Sequence, residues 1–272
     1  MRQQFSPARL LASAALTVVL ATGLGGCQTM SDITGSITPS SQSEPAPDAD
    51  PRAAEQALGD RYRANPKDAE AALAYGQALR ANGQRAQAAA VLEQASIANP
   101  AYKPLLAAYG RALADNGNFQ QAFDVLSRAH SPANPDWRIL SVQGTCLDQM
   151  GRHDDARRYY ESALKIVPNE PSVLSNLGLS YMLAKDLPKA EQVLRQAYTN
   201  PKADARVRQN LGLVVGLQGR FAEAETIVKA DLPPDEAAAN VTYLREMLKG
   251  GNESRATARN GRAPLADLNR PD

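Results

Sequence analysis

Residues that build catalytic and cofactor sites are scarce in this chain. Its 272 residues include two cysteines, two histidines and one tryptophan, and aromatic residues make up only 5%. No metal-ligand spacing, nucleophile elbow, phosphate-binding loop or paired acid emerges around them. No catalytic or metal-binding residue is therefore assigned, and no cofactor or small-molecule substrate is expected. A hydrolase with an unrecognised site is the enzyme reading that stays open. A charge excess is lacking too: 30 basic residues face 29 acidic ones. Nucleic-acid binding needs a basic stripe to neutralise phosphates, so that class of partner is excluded. The acidic residues are spread over helix faces, where a solvated surface is the expectation.

What the chain does have is a period. Gly76, Gly110, Gly144, Gly178 and Gly212 are spaced 34 residues apart, and so are Ala88, Ala122, Ala156, Ala190 and Ala224. Leu79, Leu113, Leu147, Tyr181 and Val215 keep the interval, as do Leu92, Leu126, Tyr160, Leu194 and Val228. A fifth column, Ala95, Ala129, Ala163 and Ala197, is broken only at Asp231. A fixed period of this size marks a repeat architecture.

Each unit reads as two short helices. In the second unit the first helix is expected from Pro104 to Asp115, with Leu105, Leu106, Tyr109 and Leu113 as its apolar stripe. Asn116 and Gly117 make the turn, because both tolerate the positive φ that ends a helix. Gly83, Gly151 and Gly219 repeat that turn, and Lys185 replaces it once. The second helix is expected from Gln120 to His130, and Pro100, Pro135 and Pro168 close successive units. Gly110 costs its helix about 1 kcal/mol relative to alanine. Close approach of a neighbouring helix explains its place, with room expected for a methyl group but not for a leucine. Cys146 reads as a small buried hydrophobe, and His153 as a packing residue at the site held by Phe119 and Phe221 in sister units.

The pattern resembles the tetratricopeptide repeat (TPR), a helix–turn–helix unit of 34 residues. The resemblance implies an all-α, right-handed superhelical solenoid. Its units are 69–102, 103–136, 137–170, 171–204 and 205–238, within a solenoid spanning 50–249. The tryptophan common near the start of such units is absent; Ala72, Leu106, Leu140, Leu174 and Arg208 stand there. Residues 50–68 read as a capping half-unit and 235–249 as a capping helix, with Val241, Leu244 and Leu248 on one face. Residues 250–272 lack apolar periodicity and are expected to be disordered.

The N-terminus carries a separate signal. Arg2 and Arg9 precede an apolar run from Leu10 to Leu24, too short for a spanning helix, so residues 1–26 read as a secretory leader. Loss of Arg2 and Arg9 with it leaves 28 basic against 29 acidic residues. The closing Leu24-Gly25-Gly26-Cys27 resembles the lipobox of bacterial lipoproteins. That resemblance implies a covalent lipid on Cys27 and cleavage before it. Two or three acyl chains then anchor the protein stably, where one would not. Gln28 in place of an aspartate favours the outer membrane, facing the periplasm. Cys146 is then left without a partner for a disulfide. Residues 27–49 would be the lipidated cysteine and a flexible linker rich in Ser, Thr, Pro and Asp.

In TPR proteins the first helices line a concave groove that holds a peptide or a partner helix. Early units here offer Gln77, Arg80 and Arg111 to that groove. The last two offer Leu179, Met182, Leu183, Leu213 and Leu217, with Asn176, Arg206 and Asn210 nearby. An apolar strip with polar flanks is the expected partner site, unless the end helix folds back over it. The Lys and Asn set that clamps a C-terminal carboxylate in chaperone-binding TPR domains is not reproduced, since Leu73 and Gln77 fill its first places. A lipid-anchored chain of five such units resembles the pilus-associated lipoproteins, most of all the TadD lipoproteins of the tight-adherence (Tad, or Flp) pilus machinery. Residues 230–248, ADLPPDEAAANVTYLREML, carry that likeness. It implies a scaffold for a secretin or another pilus assembly component. An envelope-biogenesis lipoprotein that docks barrel-assembly or peptidoglycan enzymes is the alternative.

Overall fold

The computed structural model describes residues 51–260, and the side chains of 52–250. The leader, Cys27, the linker to residue 49 and residues 261–272 lie outside the described residues. Within them are twelve helices and no strand. A first helix α1 (Pro51–Ala64) precedes five pairs: α2 (Ala69–Ala81) with α3 (Arg85–Ala98), α4 (Lys103–Asp115) with α5 (Phe119–Ala129), and α6 (Trp137–Gln149) with α7 (His153–Ile166). The series continues with α8 (Pro171–Leu183) and α9 (Leu187–Tyr198), then α10 (Ala205–Leu217) and α11 (Phe221–Val228), and ends in α12 (Pro234–Asn260).

Local chemistry sets these ends. Asp68, Asp136, Glu170, Asp186 and Asp204 cap the helices they precede, each side chain accepting a backbone N–H of the first turn. Within each pair the turn has one residue at positive φ. At Gly117 φ is 83°, and the neighbouring N–H groups of Gly117 and Asn118 bond back to Ala114 and Leu113 at 3.0 and 2.9 Å. Lys185 adopts the same conformation, with φ 66°.

The alanine and leucine columns form the core between the two helix layers; Leu79, Leu92, Leu126, Leu147 and Leu194 are fully buried. The glycine column meets them at close range. A Cβ on Gly110 would lie 2.5 Å from Leu126 Cγ, and one on Gly144 would lie 2.6 Å from Tyr160 Cε1. This corrects the expected room for a methyl group: the facing side chain already occupies it. Cys146 is fully buried, and burial pushes its thiol up to about 12, the reverse of an activated nucleophile.

The first helices touch one another in sequence, α2 to α4, α4 to α6, α6 to α8 and α8 to α10, whereas the second helices touch no second helix among the described residues. The first helices therefore converge on the inner, concave side and the second helices splay outward. α12 packs on α10 and α11, as the first helix of a sixth unit would. Its Ala237 and Val241 are buried, and Arg245 stacks on the Phe221 ring at 4.8 Å.

α12 also corrects the expected tail. It runs on to Asn260 rather than ending near Lys249. Glu, Arg and Ala in residues 253–259 favour a helix, and extending a helix already nucleated on a docked base costs little per residue. No apolar periodicity is needed for that, which is why the sequence pattern misses it. No helix among the described residues is long and apolar enough to cross a membrane.

Candidate functional site

The ninth place of each unit, counted from residues 69, 103, 137, 171 and 205, changes character along the inner face. It reads Gln77, Arg111, Thr145, Leu179 and Leu213. The apolar end lies on α8 and α10. Leu183 is 43% exposed and Leu213 37%, while Leu179, Met182 and Leu217 are half-buried. Met182 packs partly on the core of the last two units. Because α12 touches only α10 and α11, it does not fold back across α8. Leu244 of α12 instead reaches Gly216, where a Cβ would meet its Cδ2 at 2.5 Å.

The polar neighbours have a different role from the one their positions suggest. Asn176 donates from Nδ2 to Ser141 Oγ at 3.1 Å, and Asn210 donates to Ser175 Oγ at 2.8 Å. Each bond ties one first helix to the preceding one, so both amides stitch the inner face. Arg206 pairs with Asp204 at 3.1 Å beside the start of α10.

Sequence reasoning missed a buried polar cluster in the third unit. Asp148 sits inside the stack rather than on a solvated face. Its Oδ1 lies 2.8 Å from His153 Nδ1 and accepts a 2.8 Å bond from Ser180 Oγ, and its Oδ2 accepts one of 3.0 Å from Tyr160. Burial raises the Asp148 carboxyl, and the bonds from His153, Ser180 and Tyr160 oppose that shift. Serine, histidine and aspartate in contact invite comparison with a nucleophilic relay, but the order is wrong. A relay needs serine bonded to histidine with aspartate behind it; here Ser180 bonds to the aspartate. The available signal was Tyr160, a tyrosine in a column of aliphatic residues.

A second polar cluster joins the last two units at Glu191. This carboxylate accepts from Arg220, from Gln218 at 2.9 Å and from Arg195 at 2.8 Å. Those bonds, that of Arg220 foremost, hold it down at about 2.

Two family models, each described as a tetratricopeptide repeat, match residues 79–141 and 142–205. Residues 79–205 of the solenoid are tetratricopeptide repeats. TPR solenoids in solved structures agree in fold. The chain is 20% identical to PilW, a widely conserved type IV pilus biogenesis factor, with a TM-score of 0.61 over 70% of this chain and 91% of that one. Against pilF of Pseudomonas aeruginosa the identity is 18% and the TM-score 0.55, covering 70% and 89%. Against a chain of the APC/C hetero-tetramer Cut9–Hcn1 they are 19% and 0.57, covering 74% of this chain but only 41% of that one. No match was found among curated protein sequences. A TPR solenoid with an open inner face is a scaffold for protein–protein interaction, and the comparisons carry the assignment that far.

Proposed function

We propose that this chain is a lipid-anchored outer-membrane protein, facing the periplasm, that binds protein partners during assembly of a Tad/Flp pilus or its secretin. It acts by binding alone, without catalysis. The observation that carries the binding reading is the exposure of Leu183 and Leu213 on the inner face, next to a terminal helix that turns away from them. Neighbour packing does not require leucine at those places, so their exposure points to a partner. The pilus reading rests on the lipobox at Cys27 and on residues 230–248; the likeness of fold to two pilus proteins is compatible with it.

The test is the double substitution Leu183→Glu and Leu213→Glu, at the two exposed leucines. Each would place a carboxylate in an apolar interface at a cost of several kcal/mol, and a micromolar complex has only about 8 kcal/mol to lose. The double variant should keep its helical circular dichroism and its membrane fraction, yet lose co-purification with the secretin and lose pili. Ile97→Glu, on the outer helix α3 and 76% exposed, should cause neither loss. A folded double variant that still supports pili removes the groove from the mechanism.

A further inference from the structure

The other half of the groove is cationic. Arg80, Arg111 and Arg138 stand on α2, α4 and α6, three successive first helices. Arg80 is bridged to Asp115 at 2.6 Å. Arg138 lies over the Trp137 ring, 4.6 Å from its centroid, and its Nε is enclosed with no acceptor among the described residues. Arg111, between them, is half-buried and has no hydrogen-bond or ion-pair partner among the described residues. The two carboxylates that face it are engaged elsewhere: Asp115 holds Arg80, and Asp136 caps α6 by accepting the Arg138 N–H at 2.8 Å.

A guanidinium keeps its proton in proteins. Burial nevertheless pulls the Arg111 group below its ordinary value. Arg80 and Arg138 add to that pull, against Asp136 and Asp115. A charge removed from water without a matching anion is destabilising, and it is retained where an anion arrives from outside.

We propose that Arg111, flanked by Arg80 and Arg138, receives a side-chain carboxylate of an extended acidic segment of the partner protein, whose apolar residues lie on Leu179, Leu183 and Leu213. This rests on the reading of the groove given above and adds its chemistry. Among the described residues, three arginines facing Asp115 and Asp136 leave about one positive charge in excess, which suits a single carboxylate; a phosphate backbone requires a continuous excess. Adjacent helices pack roughly 8–10 Å apart, so Arg111 on α4 and Leu179 on α8 are separated by two steps, about 16–20 Å. An extended chain covers that span in about five or six residues. The segment recognised thus carries an acidic residue five or six positions from its first apolar contact. This gives the polar end of the groove a role that the sequence reading does not assign to it.

The experiment is selection of random 15-residue peptides displayed on phage against the full-length protein, followed by anisotropy titration of one selected sequence as a labelled synthetic peptide. Enriched peptides should carry Asp or Glu at that spacing from an apolar pair. Changing the acid to its amide, or Arg111→Gln in the protein, should weaken binding about ten- to a hundred-fold, with no further loss when the two are combined. Arg111→Met should melt no lower than the parent, which separates lost binding from lost folding. Peptides without an acidic preference, or bound equally by Arg111→Gln, overturn the inference. If Leu183→Glu with Leu213→Glu still abolishes their binding, the groove itself stands. Peptides indifferent to both sets of substitutions, or no enrichment at all, overturn both readings. An acidic preference that emerges only after Asp48→Asn and Asp50→Asn would make the chain's own linker the occupant, and the partner proposal falls.

Discussion

Tyr160 fills the space that any residue larger than glycine would need at position 144. Its Cε1, Cζ and Cδ1 atoms lie 2.6, 2.8 and 2.9 Å from an ideal Cβ there, and its hydroxyl is held by Asp148. The ring is rigid and anchored at its tip, so it cannot swing aside as an aliphatic chain end can. The four other units place leucine or valine against the same glycine.

Gly144→Ala should therefore destabilise the solenoid, by about 1–3 kcal/mol for overpacking less roughly 1 kcal/mol of regained helix propensity. Gly144→Leu should destabilise it further. The double variant Gly144→Ala with Tyr160→Leu should recover part of the loss measured for Gly144→Ala alone. Thermal melts of the three variants provide the check, and an unchanged Gly144→Leu protein would place this column outside the packed interface.

Lys185 holds the turn between α8 and α9 at φ 66°, where the other four units use glycine. A side chain in the left-handed region costs roughly 1–2 kcal/mol, which glycine avoids at some cost in unfolded-chain entropy. Lys185→Gly is expected to raise stability by about 1 kcal/mol. Denaturant titration should show a higher midpoint at unchanged slope; a lower midpoint would mean that the lysine side chain contributes more than the turn does.

Two buried or half-buried carboxylates shift in opposite directions, and their signs differ accordingly. Asp148 is raised in the fold from an ordinary 3.8, so its contribution is fully present below that value and is lost as pH rises through the folded value. Asp148→Asn should thus melt at or above the parent at pH 7, with the difference closing toward pH 4. Glu191 is lowered from 4.5 to about 2, so it stabilises above 4.5 and the benefit is lost as pH falls through about 2. Glu191→Gln should cost about 1 kcal/mol at pH 7, since its arginine partners are well exposed and screened. That cost should vanish near pH 2. Melting profiles against pH that moved together for the two variants would contradict these assignments.

The anchor is tested at Cys27. Cys27→Ser should abolish incorporation of labelled palmitate and release the protein from the outer-membrane fraction. Retention of both label and location would rule out the lipobox.

The sequence by itself determined the repeat: its period, the number of helix pairs, the turn residues and the columns that face the core. All of these follow from local helix geometry repeated at a fixed interval, so a single column read five times is enough to specify them. The stacking of units decided what a column cannot reveal. Asn176 and Asn210 reach serines 35 residues earlier, Ser180 reaches an aspartate 32 residues earlier, and Arg111 has no ion-pair partner among the described residues, where both nearby carboxylates hold other groups. The course of α12 belongs here too: it docks on α10 and α11 as a further first helix, leaving Leu183 and Leu213 open. A side chain's partner on the neighbouring unit depends on how far one unit rotates and rises over the next. That rotation is set by the summed packing of whole helix faces, which no single residue or spacing encodes.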